Sequence, residues 1–328
     1  MSSSLYAKLI ESLSNSSQPS ISYKTRLRVL QYDPASAEMR LIQQQIACSQ
    51  VVTQLLSERL CDGTLPRHAY QKWRGAHWVL AQLVELEYPP GDESLSPLQE
   101  QAFDWYFENK KKYEPKILIQ GRYRRCASQP GNILYYSLKL GLLDPRLETI
   151  ASDLLRYQWQ DGGWNCDRKP SASHSSFVET WIPIRALALY NQTIHSTEID
   201  SRVDRACEHL LERSLFLRKS TGEVIDPDYL QLTYPDFYIY TILSGLKAIQ
   251  QAGFEYEPRC SLALDLLESK FIPDQGWRLE KKYYHHNLDN INRCSPVRWE
   301  DTRFGKGNQF LSVEILSILQ NAGRLQVK

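Results

Sequence analysis

Apolar residues recur along most of the chain at helical spacing. Between Ala35 and Leu60, Met39, Ile42, Ile46, Val51, Leu55 and Leu56 share one helix face. Asp33-Pro34 before them is a start signal, with proline in the first turn, where no N–H is needed. Similar spacing predicts helices over 71–86, 96–108, 132–142, 147–157, 177–190, 199–213, 235–252, 258–270 and 310–320. Alternating strand patterns are nearly absent. Residues 1–34 read as an arm: a short helix over 5–13, a polar loop over 14–22, and a turn or strand-like piece over 23–31. The expected class is all-α, with an N-terminal arm over 1–34 and one helical domain over 35–328.

Glycines punctuate the pattern. Gln158-Trp159-Gln160-Asp161-Gly162-Gly163-Trp164 lies between two helical stretches. Paired glycines there mark a turn that other residues avoid, and the flat ring of Trp164 can plug the gap between helix ends. The stretch reads as the elbow of a helical hairpin. Looser copies are Cys61-Asp62-Gly63-Thr64-Leu65, Ser128-Gln129-Pro130-Gly131-Asn132, Thr221-Gly222-Glu223 and Asp274-Gln275-Gly276-Trp277. The second helices also end alike: Leu86-Glu87-Tyr88, Leu140-Gly141-Leu142, Ala188-Leu189-Tyr190, Ala252-Gly253-Phe254 and Ala322-Gly323-Arg324. Self-similarity at roughly 50–70 residues implies stacked hairpins, as an open solenoid or a closed double ring. The second helices start with aromatic and polar residues and turn aliphatic. That suits inner helices whose N-termini surround a cavity, so the architecture expected is an α/α toroid of about five to six hairpins.

The central elbow supports a family resemblance. Gln158-x-x-x-Gly162-x-Trp164 resembles the Gln-Trp motif of squalene and oxidosqualene cyclases, and Ile272-Pro273-Asp274-Gln275-Gly276-Trp277 is similar to a partial second copy. The elbows also resemble those of protein prenyltransferase β subunits. Over roughly residues 35–325, the resemblance implies a terpenoid-cyclase or prenyltransferase toroid handling an isoprenoid in a central aromatic cavity. The chain departs from both families. The cyclase Asp-x-Asp-Asp motif has no copy: Tyr234-Pro235-Asp236-Phe237-Tyr238 holds one aspartate, and Asp226-Pro227-Asp228-Tyr229 is the nearest string. The cyclases' second helical barrel has no room here. Prenyltransferases bind zinc through Asp, Cys and His and need an α subunit; here Cys166 and Asp167 are adjacent, and Val178 starts the inner helix where a histidine would be sought.

Under this reading the inner-helix starts carry Trp73, His77, Asn132, Glu179, Asp236 and Asn308 into the hollow. Acid-initiated cyclisation or isomerisation needs a carboxyl kept protonated. Asp236 or Asp228 is the candidate acid, Glu179 joins Asp236 as an acid/base candidate, and His77 is a candidate base. Trp73, Trp78, Trp181, Tyr234, Phe237, Tyr238 and Tyr240 are candidates to hold carbocations by cation–π attraction, with Arg298 and Trp299 covering the mouth. Each has a structural alternative: asparagines and carboxylates cap helix starts, a buried histidine is often only hydrogen-bonded, and aromatics pack. Arg122, Arg124 and Arg125 either grip a diphosphate or are solvated. His285-His286 with Asp289 and Cys294, and Cys166-Asp167 with His174, match no standard zinc spacing, so neither metal nor cofactor is expected.

Composition narrows the partners. The 328 residues carry 39 basic and 38 acidic side chains, net +1. No global field draws the chain to nucleic acid. Aromatics reach 11%, with 19 Tyr and 8 Trp, more than helix packing requires. Seven cysteines without a CxxC pair suit a reducing compartment. The N-terminus lacks a signal-peptide pattern, and no apolar run reaches the ~18 residues of a membrane span. A cytoplasmic protein without stable membrane insertion is expected, with a hydrophobic small molecule, an isoprenoid, as its substrate. The rival readings are a noncatalytic lipid- or peptide-binding toroid and a prenyl-diphosphate transferase using Arg122–Arg125. Nothing indicates oligomeric state.

Overall fold

A computed structural model describes residues 4–114, 117–285, 294–299 and 306–325. Its helices pair into hairpins that close into a ring. The outer layer holds α1 (Ser4–Ser14), α3 (Ala37–Ala47), α4 (Gln50–Leu56), α6 (Ser96–Tyr113), α8 (Arg146–Tyr157), α10 (Thr197–Leu211) and α12 (Ser261–Ser269). The inner layer holds α2 (Pro19–Lys24), α5 (Ala76–Glu85), α7 (Ser128–Lys139), α9 (Phe177–Ile194), α11 (Ile242–Gln251) and α13 (Gln309–Asn321). Inner helices pack in succession, α5 on α7, α7 on α9, α9 on α11 and α11 on α13, while outer helices pack on the inner ones beside them. The protein is an α/α toroid.

Closure comes from the N-terminal segment. α2 and the π-helical turn Thr25–Val29 that extends it pack against α13. Lys24 reaches back to Glu85 on α5. Residues 23–31 are therefore largely helical rather than strand-like. Residues 4–29 supply a sixth hairpin, which packs on α13.

The elbows repeat in atomic detail. The Trp164 indole N–H donates to Leu154 O at 2.8 Å, and its backbone N–H donates to Thr180 Oγ1 at 3.2 Å. Trp277 repeats both bonds, to Leu267 O at 2.6 Å and Ser312 Oγ at 3.1 Å. Both indoles are almost wholly buried, so each plugs its hairpin and satisfies a carbonyl near the end of the outer helix. Gly162 needs to be glycine for two reasons: its φ is +98°, and a Cβ would meet Arg205 O at 2.2 Å.

Inner helices close as the sequence pattern predicts, with one exception. Glu87, Gly141, Gly253 and Gly323 are left-handed, and the residue after each donates back to the carbonyl five residues earlier. α9 instead runs past Leu189 and ends at left-handed His195. Helix starts differ more. α7 begins at Ser128, not 132; α5 begins at Ala76, not 71; and α11 begins at Ile242, where Thr241 and Ser244 form a capping box. The stretch over 35–60 is split into α3 and α4, each capped by a serine. The described strands are two short pieces, Leu118–Ile119 and Arg122–Tyr123, paired in one hairpin. No described helix is long and apolar enough to cross a membrane.

Candidate functional site

The ring centre is not a greasy hollow. Lys24, 0% exposed, donates to Glu85 at 2.9 Å, Glu314 at 2.9 Å and Tyr234 at 3.0 Å. Lys247 meets Glu314 at 3.0 Å and Asp236 at 3.4 Å. Arg28 bridges Glu314 and Glu87. Burial alone would raise the carboxyls of Glu85 and Glu314. The lysines outweigh it, holding Glu85 down at about 2 and Glu314 well below the ordinary value. Asp236 goes the other way: burial raises its carboxyl, against the pull of Lys247 and Thr233. The remaining space beside Asp236, bounded also by Asn132, Tyr136, Trp181, Phe237 and Lys247, is about 30 Å³. That is about the share of one liquid water, against roughly 300 Å³ or more for typical ligand pockets.

The expected aromatic cluster forms, but it is packed upon itself. Trp73 lies against Trp78, Phe237 and Tyr238 at centroid distances of 5.0, 5.4 and 6.0 Å. Trp299 packs on Tyr234, Phe237 and Phe310. A cation is already among these rings: the Lys72 ammonium stands 3.2 Å from the Tyr238 centroid and 5.2 Å from that of Trp78. Tyr240 is elsewhere, bonded to Leu215 O at 2.7 Å and packed on Phe177 and Tyr229. Trp181 is buried, and Arg185 covers its ring.

The other candidates fall in varied places. His77 is wholly buried in the first turn of α5; burial, then Lys72, pulls its imidazole down to about 3. Its Nδ1 is 3.5 Å from the Tyr136 hydroxyl. Asn132 sits inside α7 rather than at its start, and donates to Phe237 O at 2.9 Å. Asp236 lies in the loop before α11, because that helix begins later than its apolar spacing suggests. Asn308 caps α13 through Leu311 N at 2.9 Å. Asp228 is half-buried in a short 3-10 turn, paired with Lys281 at 2.5 Å. Arg298 is exposed, whereas Trp299 is buried. His286 and Asp289 lie outside the described residues.

Glu179 leads to a different region. It sits in the first turn of α9, and its Oε2 accepts the backbone N–H of Ser128 at 2.9 Å. α7 has no side-chain cap of its own, so this carboxylate caps it from the neighbouring helix. The other oxygen accepts from the Cys166 thiol at 3.4 Å. Cys126 joins them: one ligand atom each from Cys126, Cys166 and Glu179 lie within 4.8 Å of one another. The Cys126 thiol is pushed well up, first by its hydrogen bond with Cys166, then by burial and Glu179.

These thiols line a cleft of about 330 Å³ with Tyr70, Trp105, Arg124, Arg125 and Arg168. Tyr70 and Trp105 stack at 4.6 Å. Arg124 is 1% exposed. Its Nη1 donates to Asp167 O and Lys169 O, and its plane covers Trp159 at 4.7 Å. Its Nε and Nη2 have no hydrogen-bond partner among the described residues. A buried guanidinium with free donors is costly unless something binds there. A larger cleft of about 570 Å³ lies across the start of α9, but its cations are committed. Arg213 bonds His209 O, Arg218 bonds Ile225 O, and Lys219 bonds Glu212.

The sequence pointed to Arg124, Arg125 and Cys166 separately, but missed Cys126, Tyr70 and Trp105. Cys166 does not join Asp167 and His174: Asp167 turns back on Lys169 N, and His174 borders the larger cleft. Cys126 is one residue beyond the arginines, yet only closure of α7 on α9 brings it to Glu179.

No family model matches the chain, and no curated protein matches it by sequence. Among solved structures it is similar to an unsaturated glucuronyl hydrolase variant with the saccharide dGlcA-Glc-Rha-Glc. The identity is 11%, over 97% of this chain and 94% of that one, at a TM-score of 0.42. The toroid is read from this chain's own helix packing.

Proposed function

We propose that the chain is a small-molecule enzyme working in the cleft between the starts of α7 and α9, on a substrate with an anionic head and an apolar or flat body. The observation that carries this is Arg124, buried with two guanidinium nitrogens unpartnered among the described residues, lining the same cleft as two thiols. Arginines there hold an anion and stabilise one that leaves. The Tyr70–Trp105 stack offers the body an aromatic wall. Cys126 and Cys166 border the same cleft, with Glu179 behind them accepting from the Cys166 thiol. Because the elbows resemble those of isoprenoid enzymes, prenyl diphosphates are the first class to test, and the reaction favoured is prenyl transfer, in which an acceptor nucleophile of a second substrate bonds to C1 as the C1–O bond breaks and diphosphate leaves onto the arginines.

Acid-initiated cyclisation or isomerisation at Asp236 is the weaker reading. Its raised carboxyl supports it, but about 30 Å³ beside it leaves no room for an isoprenoid. Calorimetric titration with farnesyl diphosphate, inorganic pyrophosphate and farnesol tests the proposal. Both diphosphates are expected to bind, with Arg124→Met weakening them roughly tenfold to a hundredfold, as loss of a charge-assisted contact predicts. Binding of farnesol alone, or equal diphosphate binding by Arg124→Met, would refute it.

A further inference from the structure

Cys126, Cys166 and Glu179 come from three separate segments: the turn before α7, the elbow after Trp164, and the first turn of α9. Packing of α7 on α9 brings the first and third together. The bridge between Trp164 and Ser176 fixes the elbow that carries Cys166, since Ser176 N donates to Trp164 O at 2.8 Å. Glu179 is held on its other oxygen by Ser128 N. Two sulfurs and a carboxylate oxygen therefore converge on rigid supports.

We propose that these three side chains bind one thiophilic divalent cation, zinc in the first instance, at the wall of the cleft. The donor set is the first argument. Thiolate sulfur selects zinc over calcium or magnesium, and a carboxylate completes a mixed set. Size is the second. Zinc bonds of ~2.3 Å to sulfur and ~2.0 Å to oxygen put tetrahedral donors roughly 3.5–3.8 Å apart. The Cys166–Glu179 pair, at 3.4 Å, already has about this spacing, and the whole set lies within 4.8 Å, so closing on an ion needs only a small side-chain shift. Coordination is the third. Three protein ligands leave a fourth position, and both cysteines border the cleft, so water or substrate can reach the ion. Binding releases the thiol protons to solvent and involves no redox change.

The inference does not rest on the diphosphate reading, because metal content is measured without a ligand. Protein purified under reducing conditions, stripped with a chelator and titrated with zinc alone should take up one tightly held equivalent. Cobalt in its place should give a thiolate-to-metal charge-transfer band. Cys126→Ser and Cys166→Ser should each weaken zinc by roughly a hundredfold or more, and Glu179→Gln by roughly tenfold. Circular dichroism should show the toroid intact in each variant; Glu179→Gln keeps an acceptor for Ser128 and serves if a serine variant fails to fold. No zinc uptake by the wild type, or unchanged uptake in folded variants, would overturn the proposal. So would a Cys126–Cys166 disulfide found by mass analysis in protein purified under reducing conditions.

Discussion

The ring centre and the α7–α9 cleft both bury charge, and they do so in opposite ways. At the centre, Lys24, Lys247 and Arg28 face Glu85, Glu87, Glu314 and Asp236, and the ammonium and guanidinium groups find carboxylates. Beside Asp236 the space is about 30 Å³, although Arg28, Lys247 and Glu314 also border a wider, more polar cleft of about 560 Å³. In the cleft, two Arg124 nitrogens have no partner among the described residues, two thiols crowd a carboxylate, and about 330 Å³ is open. Buried charges that satisfy one another hold a fold in register. Buried donors short of partners call for a ligand, an ion or an ordered water; Trp73, His77, Trp181 and Trp299 each have one such nitrogen near the centre, but Arg124 carries the charged case. The difference separates the part of the toroid that closes the ring from the part suited to chemistry.

The largest effect is expected at the centre. Glu314→Gln removes the carboxylate shared by Lys24, Lys247 and Arg28, and should lower unfolding stability by about 3–5 kcal/mol. Denaturant titration measures this, and diphosphate binding by the folded fraction should be unchanged. A mild loss with abolished binding would reverse the comparison. Arg124→Met is the converse. It should cost about 1–2 kcal/mol for its carbonyl bonds and its contact with Trp159, while removing most diphosphate affinity.

Acid separates the two classes of buried group by pH. His77 at about 3 and His209 at about 4 are both held down chiefly by burial. Lys72 adds to the effect on His77, and Arg213 to that on His209, where Asp161 opposes it. Each imidazole binds its proton more readily unfolded, near 6.5. Stability is therefore full above 6.5 and lost as pH falls toward the folded values, at about 1.4 kcal/mol per unit per histidine. Glu85 and Glu314 follow the same sign from a lower start: their contribution is complete above about 4.5 and erodes below it. Denaturation midpoints measured from pH 7 to 5 should thus fall in the wild type and flatten in a His77→Phe, His209→Phe double variant. An unchanged slope would contradict the burial account. The smallest effect is expected at Asp228→Ala, within about 0.5 kcal/mol, since its half-exposed pair with Lys281 is worth little.

The hairpins were legible because each is local. Gly162, Gly276 and their tryptophans state the elbow, and the glycines after α7, α11 and α13 state the ends. Ring closure was not legible, since it depends on α2 meeting α13 across almost the whole chain. Trp73, Trp78, Phe237 and Tyr238 do come together while Tyr240 lies apart, and the sequence did not indicate what fills the space among them. Lys72 is adjacent to Trp73 in sequence, yet only folding lays its ammonium over Tyr238. Lys24, Glu85, Lys247 and Glu314 each look like ordinary surface charges in a helical pattern. Only their shared position on inner helices makes them a network. Glu179 was singled out for its place in the first turn of α9; its partner Cys126 was invisible because nothing local links it to Cys166.

Hydrogen exchange of the intact chain with and without farnesyl diphosphate tests most directly where the ligand site lies. Slowed exchange over residues 124–129 and 164–179, with no change over 234–251, is the result expected. Protection confined to 234–251, around Asp236 and Lys247, would contradict it and return the site to the ring centre.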